Sequence, residues 1–250
     1  MRLKDRVAIV TGGGSGLGAG IAKRFAEEGA SLVLADINGD NAETVAEEIR
    51  KGQTKAIAHQ LDVTDYDAAG ALVARTVEEF GTVDILVNSA GTSKHMTFLD
   101  AEPSEFKQIM AVNLEGTMYC GQHAGRVMVD KGYGRIVNIA STEGLGATPE
   151  TSPYTSAKHG VIGLTRSMAV ELGREGITVN CICPGAIRTG MTAGIKEEHK
   201  QIFARRRVPL ARYAEPEEVA HGTLSLVLPA SSYMNGIALP MDAGLTIKNA

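Results

Sequence analysis

Short apolar runs alternate with longer stretches of helical period along the whole chain. The runs lie at residues 7–10, 31–35, 56–62, 84–88, 135–140, 177–182 and 237–241. Most are rich in β-branched residues and apolar at successive positions, which is the pattern of strands buried on both faces. Between them lie amphipathic segments at 17–28, 41–51, 65–80, 103–131, 153–174 and 216–228. Strand followed by helix, repeated, predicts an α/β fold: a doubly wound parallel sheet of about seven strands with helices on both faces. No composition shift or low-complexity linker interrupts residues 1–250, so the chain reads as a single domain. Residues 189–215 carry no strand signal. A segment that long in a compact domain usually serves function, and it reads as a mobile insertion beside a ligand crevice.

Composition narrows the classes. The chain is 44% apolar with a net charge of −4, acids and bases interspersed. That argues against a nucleic-acid partner held by charge. The one basic cluster, Arg205-Arg206-Arg207, reads as a solvated helix end. No apolar run approaches the ~20 residues that span a bilayer, so no membrane partner is expected. Met1-Arg2-Leu3 leads straight toward the first strand without a signal-peptide pattern. Three cysteines make no disulfide framework. Cys181 and Cys183 lie in an apolar run without further ligands nearby, so they read as small hydrophobes on a buried strand, and no metal site is expected. The cell interior, the cytoplasm, is the expected compartment.

Two stretches carry chemistry. The first strand runs into Thr11-Gly12-Gly13-Gly14-Ser15-Gly16-Leu17-Gly18, and a helix follows at once. A glycine-rich turn between strand and helix lets the backbone approach a pyrophosphate, which the free N–H groups of the helix start then bind. The second strand ends at Asp36, 18 residues beyond Gly18. An acid there accepts hydrogen bonds from the adenosine ribose of NAD and repels the extra phosphate of NADP. NAD is therefore the expected cofactor, with NADP disfavoured. Farther on, Tyr154 and Lys158 stand at i and i+4. On a helix they share one face, and a cation beside a phenol favours the phenolate, as proton exchange with an alcohol requires.

Together these residues resemble the short-chain dehydrogenases/reductases, in their branch of about 250 residues. The resemblance runs the length of the chain: Thr11 to Gly18, Asp62-Val63, Asn88-Ser89-Ala90-Gly91, Asn113, Ser141, Tyr154 with Lys158, and Pro184-Gly185 followed by Thr189. It implies a Rossmann-type sheet and hydride transfer between a secondary alcohol and NAD. Tyr154 would be the acid/base, with Lys158 holding the nicotinamide ribose and tuning the phenol. Ser141 would orient the substrate oxygen, and Asn113 would anchor a water linking Lys158 to solvent. Besides Gly12, Gly14, Ser15, Gly16, Leu17, Gly18, Asp36 and Ile37, the cofactor would meet Asp62, Val63, Asn88, Ala90, Gly91, Pro184, Gly185, Ile187 and Thr189. Read alone, Asn113 is a polar residue satisfying helix backbone and Ser141 a strand-end cap. Two positions depart from the family pattern: Ser89 replaces an asparagine, and Asp242-Ala243-Gly244 replaces D-G-G near contacts that in the family help build a homotetramer.

The substrate pocket would be walled by the loops after Gly91, Ser141 and Gly185. His95, Glu143 and Glu150, with Met191, make it polar enough for a sugar, polyol or diol. Alternatives are a 3-oxoacyl-thioester reductase, against which Asp36 weighs, and an NAD-binding regulatory protein without catalysis.

Overall fold

A computed structural model describes residues 1–248. Seven parallel strands are present: β1 (Val7–Thr11), β2 (Ser31–Asp36), β3 (Ala56–Gln60), β4 (Ile85–Asn88), β5 (Gly134–Ile139), β6 (Ile177–Pro184) and β7 (Ala238–Met241). They form one sheet in the order β3-β2-β1-β4-β5-β6-β7. Each connection is a crossover, so helices cover both faces. Side chains alternate across the pleat. Ala8, Val10, Leu32 and Leu34 pack on one side with Ile21 and Phe25 of α1 (Gly16–Glu27) and with Leu224 of α9 (Pro216–Val227). Ile9, Val33 and Leu86 pack on the other, with Leu72 of α3 (Tyr66–Phe80) and with Cys120 and Met128 of α5 (Gly116–Lys131). The helix α2 (Gly39–Lys51) covers the β2–β3 end.

Strand order reverses between β1 and β4, and a crevice opens at the carboxyl ends of strands on either side of such a switch point. At the opposite end the sheet is pinned by Asp84. This buried carboxylate accepts from the Val7 N–H at 2.9 Å and pairs with Arg6 and Lys131.

Two expectations are corrected. The third strand stops at Gln60, because Asp62 turns back to accept from the N–H and hydroxyl of Thr64 at 2.9 and 2.7 Å. The single helix expected over 103–131 is α4 (Pro103–Met110), a π-helical turn (Ala111–Glu115) and α5. Residues 189–215 form no strand of the sheet, in keeping with the sequence, and hold α7 (Gly190–Ala193) and α8 (Glu197–Arg207). Glu197 and Glu198 open α8 and Arg205, Arg206 and Arg207 close it, each sign complementing its end of the helix dipole. The three arginines are exposed, as expected of a solvated helix end, while Cys181 and Cys183 are fully buried on β6. Among the described residues no cluster could hold a metal ion, and no helix is long and apolar enough to cross a membrane.

Candidate active site

The turn after β1 is shaped by backbone that only glycine suits. Gly12 has φ +64°, and a Cβ there would lie 2.9 Å from the backbone of Ala90. At Gly18 a Cβ would stand 2.1 Å from the carbonyl oxygen of Gly12, so the helix lies flat against the strand end. Thr11, which opens the glycine motif, ties this turn to the next loop: its Oγ1 accepts from the N–H groups of Ser89 and Ala90 at 3.1 and 3.2 Å. Ser89 thus serves through its backbone, and its departure from asparagine leaves that link intact.

Asp36 closes the side of the turn. Its carboxylate accepts from the N–H groups of Gly14 and Asn38, both at 3.0 Å. Ser15 precedes α1 with no capping bond from its side chain, and Ile37 stands 67% exposed beside the acid. Leu17 packs on the core and Val63 is buried. Thr189 faces the glycine turn, its Cβ 3.4 Å from where a Cβ on Gly16 would be. Pro184 ends β6, Gly185 packs against Asp242, and buried Ile187 bridges to Ala214. A cradle that side chains would fill, an open helix start and an acid at its rim fit a dinucleotide.

Asn113, Ser141, Tyr154 and Lys158 converge beside Gly91. Tyr154 and Lys158 ride on α6 (Ser152–Leu172), with the Lys158 Nζ 5.4 Å from the centre of the phenol ring. The ammonium is buried and donates to the Ile139 carbonyl at 2.7 Å. A Cβ on Gly91 would lie 2.8 Å from Asn113 Oδ1 and 3.7 Å from Lys158 Nζ, so glycine leaves room for both. Asn113 sits in the π turn, a feature frequent at functional sites. Its Nδ2 donates to the carbonyls of Thr92 and Ile109 at 2.8 and 2.9 Å, while its buried Oδ1 has no protein partner. Behind the site, buried Asn88 donates to Asn138, which donates to Thr165, locking β4, β5 and α6 together.

Burial sets the ionisation. It pushes the Lys158 ammonium down to about 8, because the charged form loses water. Tyr154 is pushed up to about 12, by burial first, with the Glu143 charge adding and Ser141 opposing through a hydrogen bond. Burial and the Glu143 charge thus raise the phenol where the neighbouring lysine alone was expected to lower it.

Ser141 caps a short 3-10 turn, its Oγ accepting from the Glu143 N–H at 3.1 Å. That leaves its hydroxyl proton to donate elsewhere. The Glu143 carboxylate is occupied by Thr148, Thr151 and Thr155, a cluster sequence reading did not find. His95 and Glu150 are exposed on the rim loops, which are joined by a bond from the Met96 N–H to the Glu150 carbonyl at 2.9 Å. Met191 is exposed nearby in sequence to Ile195, and Leu145 is exposed on the loop after β5.

A family model described as enoyl-(acyl carrier protein) reductase matches residues 12–246. The chain belongs to the short-chain dehydrogenase/reductase family. It is 38% identical over 247 residues to (2S)-[(R)-hydroxy(phenyl)methyl]succinyl-CoA dehydrogenase subunit BbsD of Thauera aromatica, covering 99% of each chain. It is 36% identical to meso-2,3-butanediol dehydrogenase of Serratia marcescens, covering 98% of this chain and 96% of that one. The structure of levodione reductase superposes with a TM-score of 0.95 at 33% identity, covering 99% of this chain and 100% of that one. This short-chain dehydrogenase/reductase is an oxidoreductase acting at the carbon of a secondary alcohol or its ketone.

Proposed function

We propose that the enzyme oxidises a secondary alcohol with NAD, and that the observation carrying this reading is the convergence of Ser141, Tyr154 and Lys158 beside Gly91. Tyr154 takes the hydroxyl proton while the carbinol hydrogen departs as hydride, leaving the ketone. NAD, when bound, supplies the hydride acceptor and a pyridinium charge. Ser141 donates to the reacting oxygen and orients it. Lys158 holds the nicotinamide ribose, and its charge joins that of the pyridinium in favouring the phenolate. The proton leaves past Lys158 toward the open Oδ1 of Asn113.

Gly12, Gly14, Ser15, Gly16, Leu17 and Gly18 would hold the dinucleotide's pyrophosphate, and Asp36, Ile37, Asp62 and Val63 its adenosine side. Asn88, Ala90 and Gly91 would line its path, and Pro184, Gly185, Ile187 and Thr189 would meet its nicotinamide end. Asp36 supports NAD over NADP, since a second phosphate would meet its carboxylate at close range. Comparing initial rates with the two cofactors tests this, and an NADP preference overturns it.

His95, Glu150 and Met191 line the mouth, and Glu143 meets its own threonines rather than substrate. A diol or another hydroxylated alcohol suits a rim that carries exposed His95 and Glu150, and oxidation rates across diols, sugars and cyclic secondary alcohols test that. The second reading, reduction of a 3-oxoacyl thioester, is favoured by the CoA ester of a hydroxy acid in one relative's name and by the acyl carrier in the family model's description. Faster turnover on acetoacetyl-CoA with NADPH than on any alcohol with NAD would select it. We further assign a homotetramer in the cytoplasm. An apolar groove of about 480 Å³ between α5 and α6, lined by Met118, Gly121, Leu164 and Met168, supports contact between copies. Light scattering tests the assembly.

A further inference from the structure

One carboxylate holds the two proton-handling residues in register. Glu143 lies two positions beyond Ser141 and is itself the donor that fixes the serine: its N–H reaches Ser141 Oγ at 3.1 Å. Its side chain reaches the opposite way. The carboxylate accepts from the Thr148 N–H at 2.9 Å, the Thr148 hydroxyl at 2.6 Å and the Thr155 hydroxyl at 2.7 Å. Thr151 Oγ1 lies 3.1 Å away, but its single proton also has the Thr148 carbonyl within 2.7 Å. Three donors are therefore firm and the fourth alternates. Thr151 precedes α6 and Thr155 follows Tyr154 on its first turn, so the bonds that anchor Glu143 anchor the helix end that presents the phenol.

An exposed loop gains little from such a cluster, because water would serve each threonine equally well. Glu143 is half-buried, and four hydrogen bonds hold its carboxyl below the usual carboxylate range despite that burial. A carboxylate saturated in this way is rigid, and catalytic groups work best when their supports are rigid.

We propose that Glu143 is a positioning residue for proton transfer, bracing Ser141 through its backbone and the Tyr154 helix turn through its side chain. This rests on the reading of Tyr154 and Ser141 given above. The brace also carries a charge. The ionisable groups around Tyr154, on the elements that meet its helix, are Lys158 and His159 on the helix itself, Glu143 and Glu150 on the loop before it, Glu105 and Lys107 on α4, Glu115 in the π turn, and the buried thiols of β6. Glu105 is paired with Lys94, and Lys107, Glu115, Glu150 and His159 are exposed. Glu143 is thus the anion acting on the phenol, and it opposes ionisation.

Glu143→Gln keeps the shape and removes the charge. In the NAD complex, the tyrosinate absorbance of the parent minus that of Tyr154→Phe titrates Tyr154 without any substrate. Glu143→Gln should move that midpoint down by about half a pH unit or more. It should also slow NAD-linked oxidation of meso-2,3-butanediol or cyclohexanol, whichever is faster, about tenfold, with NAD affinity unchanged. A glutamate serving only the fold would leave turnover of the folded variant at the parental rate. If Glu143→Gln does not fold, Thr155→Val takes its place: the charge stays, so turnover should fall about threefold with no shift of the midpoint. Parental turnover in Glu143→Gln or in Thr155→Val overturns the proposal while Tyr154→Phe is inactive. Parental turnover in Tyr154→Phe overturns the site reading itself, and this proposal with it.

Discussion

Lys158→Met separates what the site does for the enzyme from what it costs the fold. The Lys158 side chain is 4% exposed and held down to about 8, against 10.5 for a free lysine. At 1.36 kcal/mol per pH unit, carrying the charge at pH 7 costs the folded state about 3 kcal/mol relative to a neutral side chain. Methionine removes that cost at similar volume but leaves the Ile139 carbonyl without its 2.7 Å partner, a loss of about 1–2 kcal/mol. The variant should therefore be more stable at pH 7 by about 1–2 kcal/mol, a rise in Tm of about 4 °C for a chain of this size. The sign follows from linkage. The folded pKa lies below the unfolded one, so the penalty is full below about 8 and disappears as pH rises to 10.5. Above that, both states hold a neutral amine and only the lost hydrogen bond remains. Paired thermal melts of parent and variant at pH 7 and pH 10 check this. Turnover should fall at least a hundredfold in the same variant. A variant less stable than the parent by 2 kcal/mol at pH 7, or a stability difference independent of pH, would refute the reasoning.

Two further outcomes follow from the backbone. Gly18→Ala puts a Cβ 2.1 Å from the Gly12 carbonyl oxygen, which is main chain and cannot rotate away, so NAD affinity measured by calorimetry should fall at least tenfold. Ala243 has φ +54°, a left-handed conformation in which a Cβ is strained, so Ala243→Gly should gain up to about 1 kcal/mol in urea melts, the added freedom of the unfolded chain offsetting part of the relief.

Strands and cofactor turn were legible because both are local patterns. The run 31–35 needs no distant partner to read as a buried strand, and Gly12 to Gly18 with Asp36 carry their chemistry in spacing alone. The π turn around Asn113 was hidden, because one extra residue per turn barely disturbs a 3.6-residue period over 103–131. Within 189–215 the arginine cluster marked a helix end, but the extent of α8 was not legible, because the helix is polar nearly all round, burying only Lys200 and Ala204, and shows no apolar stripe. Glu143 drew attention as a carboxylate near the pocket, but its partners Thr148 and Thr151 lie on a loop whose fold no periodicity encodes, and Thr155 lies on the first turn of α6 beyond it. The phenol's ionisation also depended on burial, which a five-residue motif does not report.

The central claim is that Tyr154 exchanges the proton while the alcohol is oxidised. Single-turnover formation of NADH, followed at 340 nm with enzyme in excess over alcohol, isolates that step in the parent and in Tyr154→Phe. The account predicts a fall of at least about a thousandfold with NAD affinity unchanged. A rate within a few-fold of the parent would contradict it.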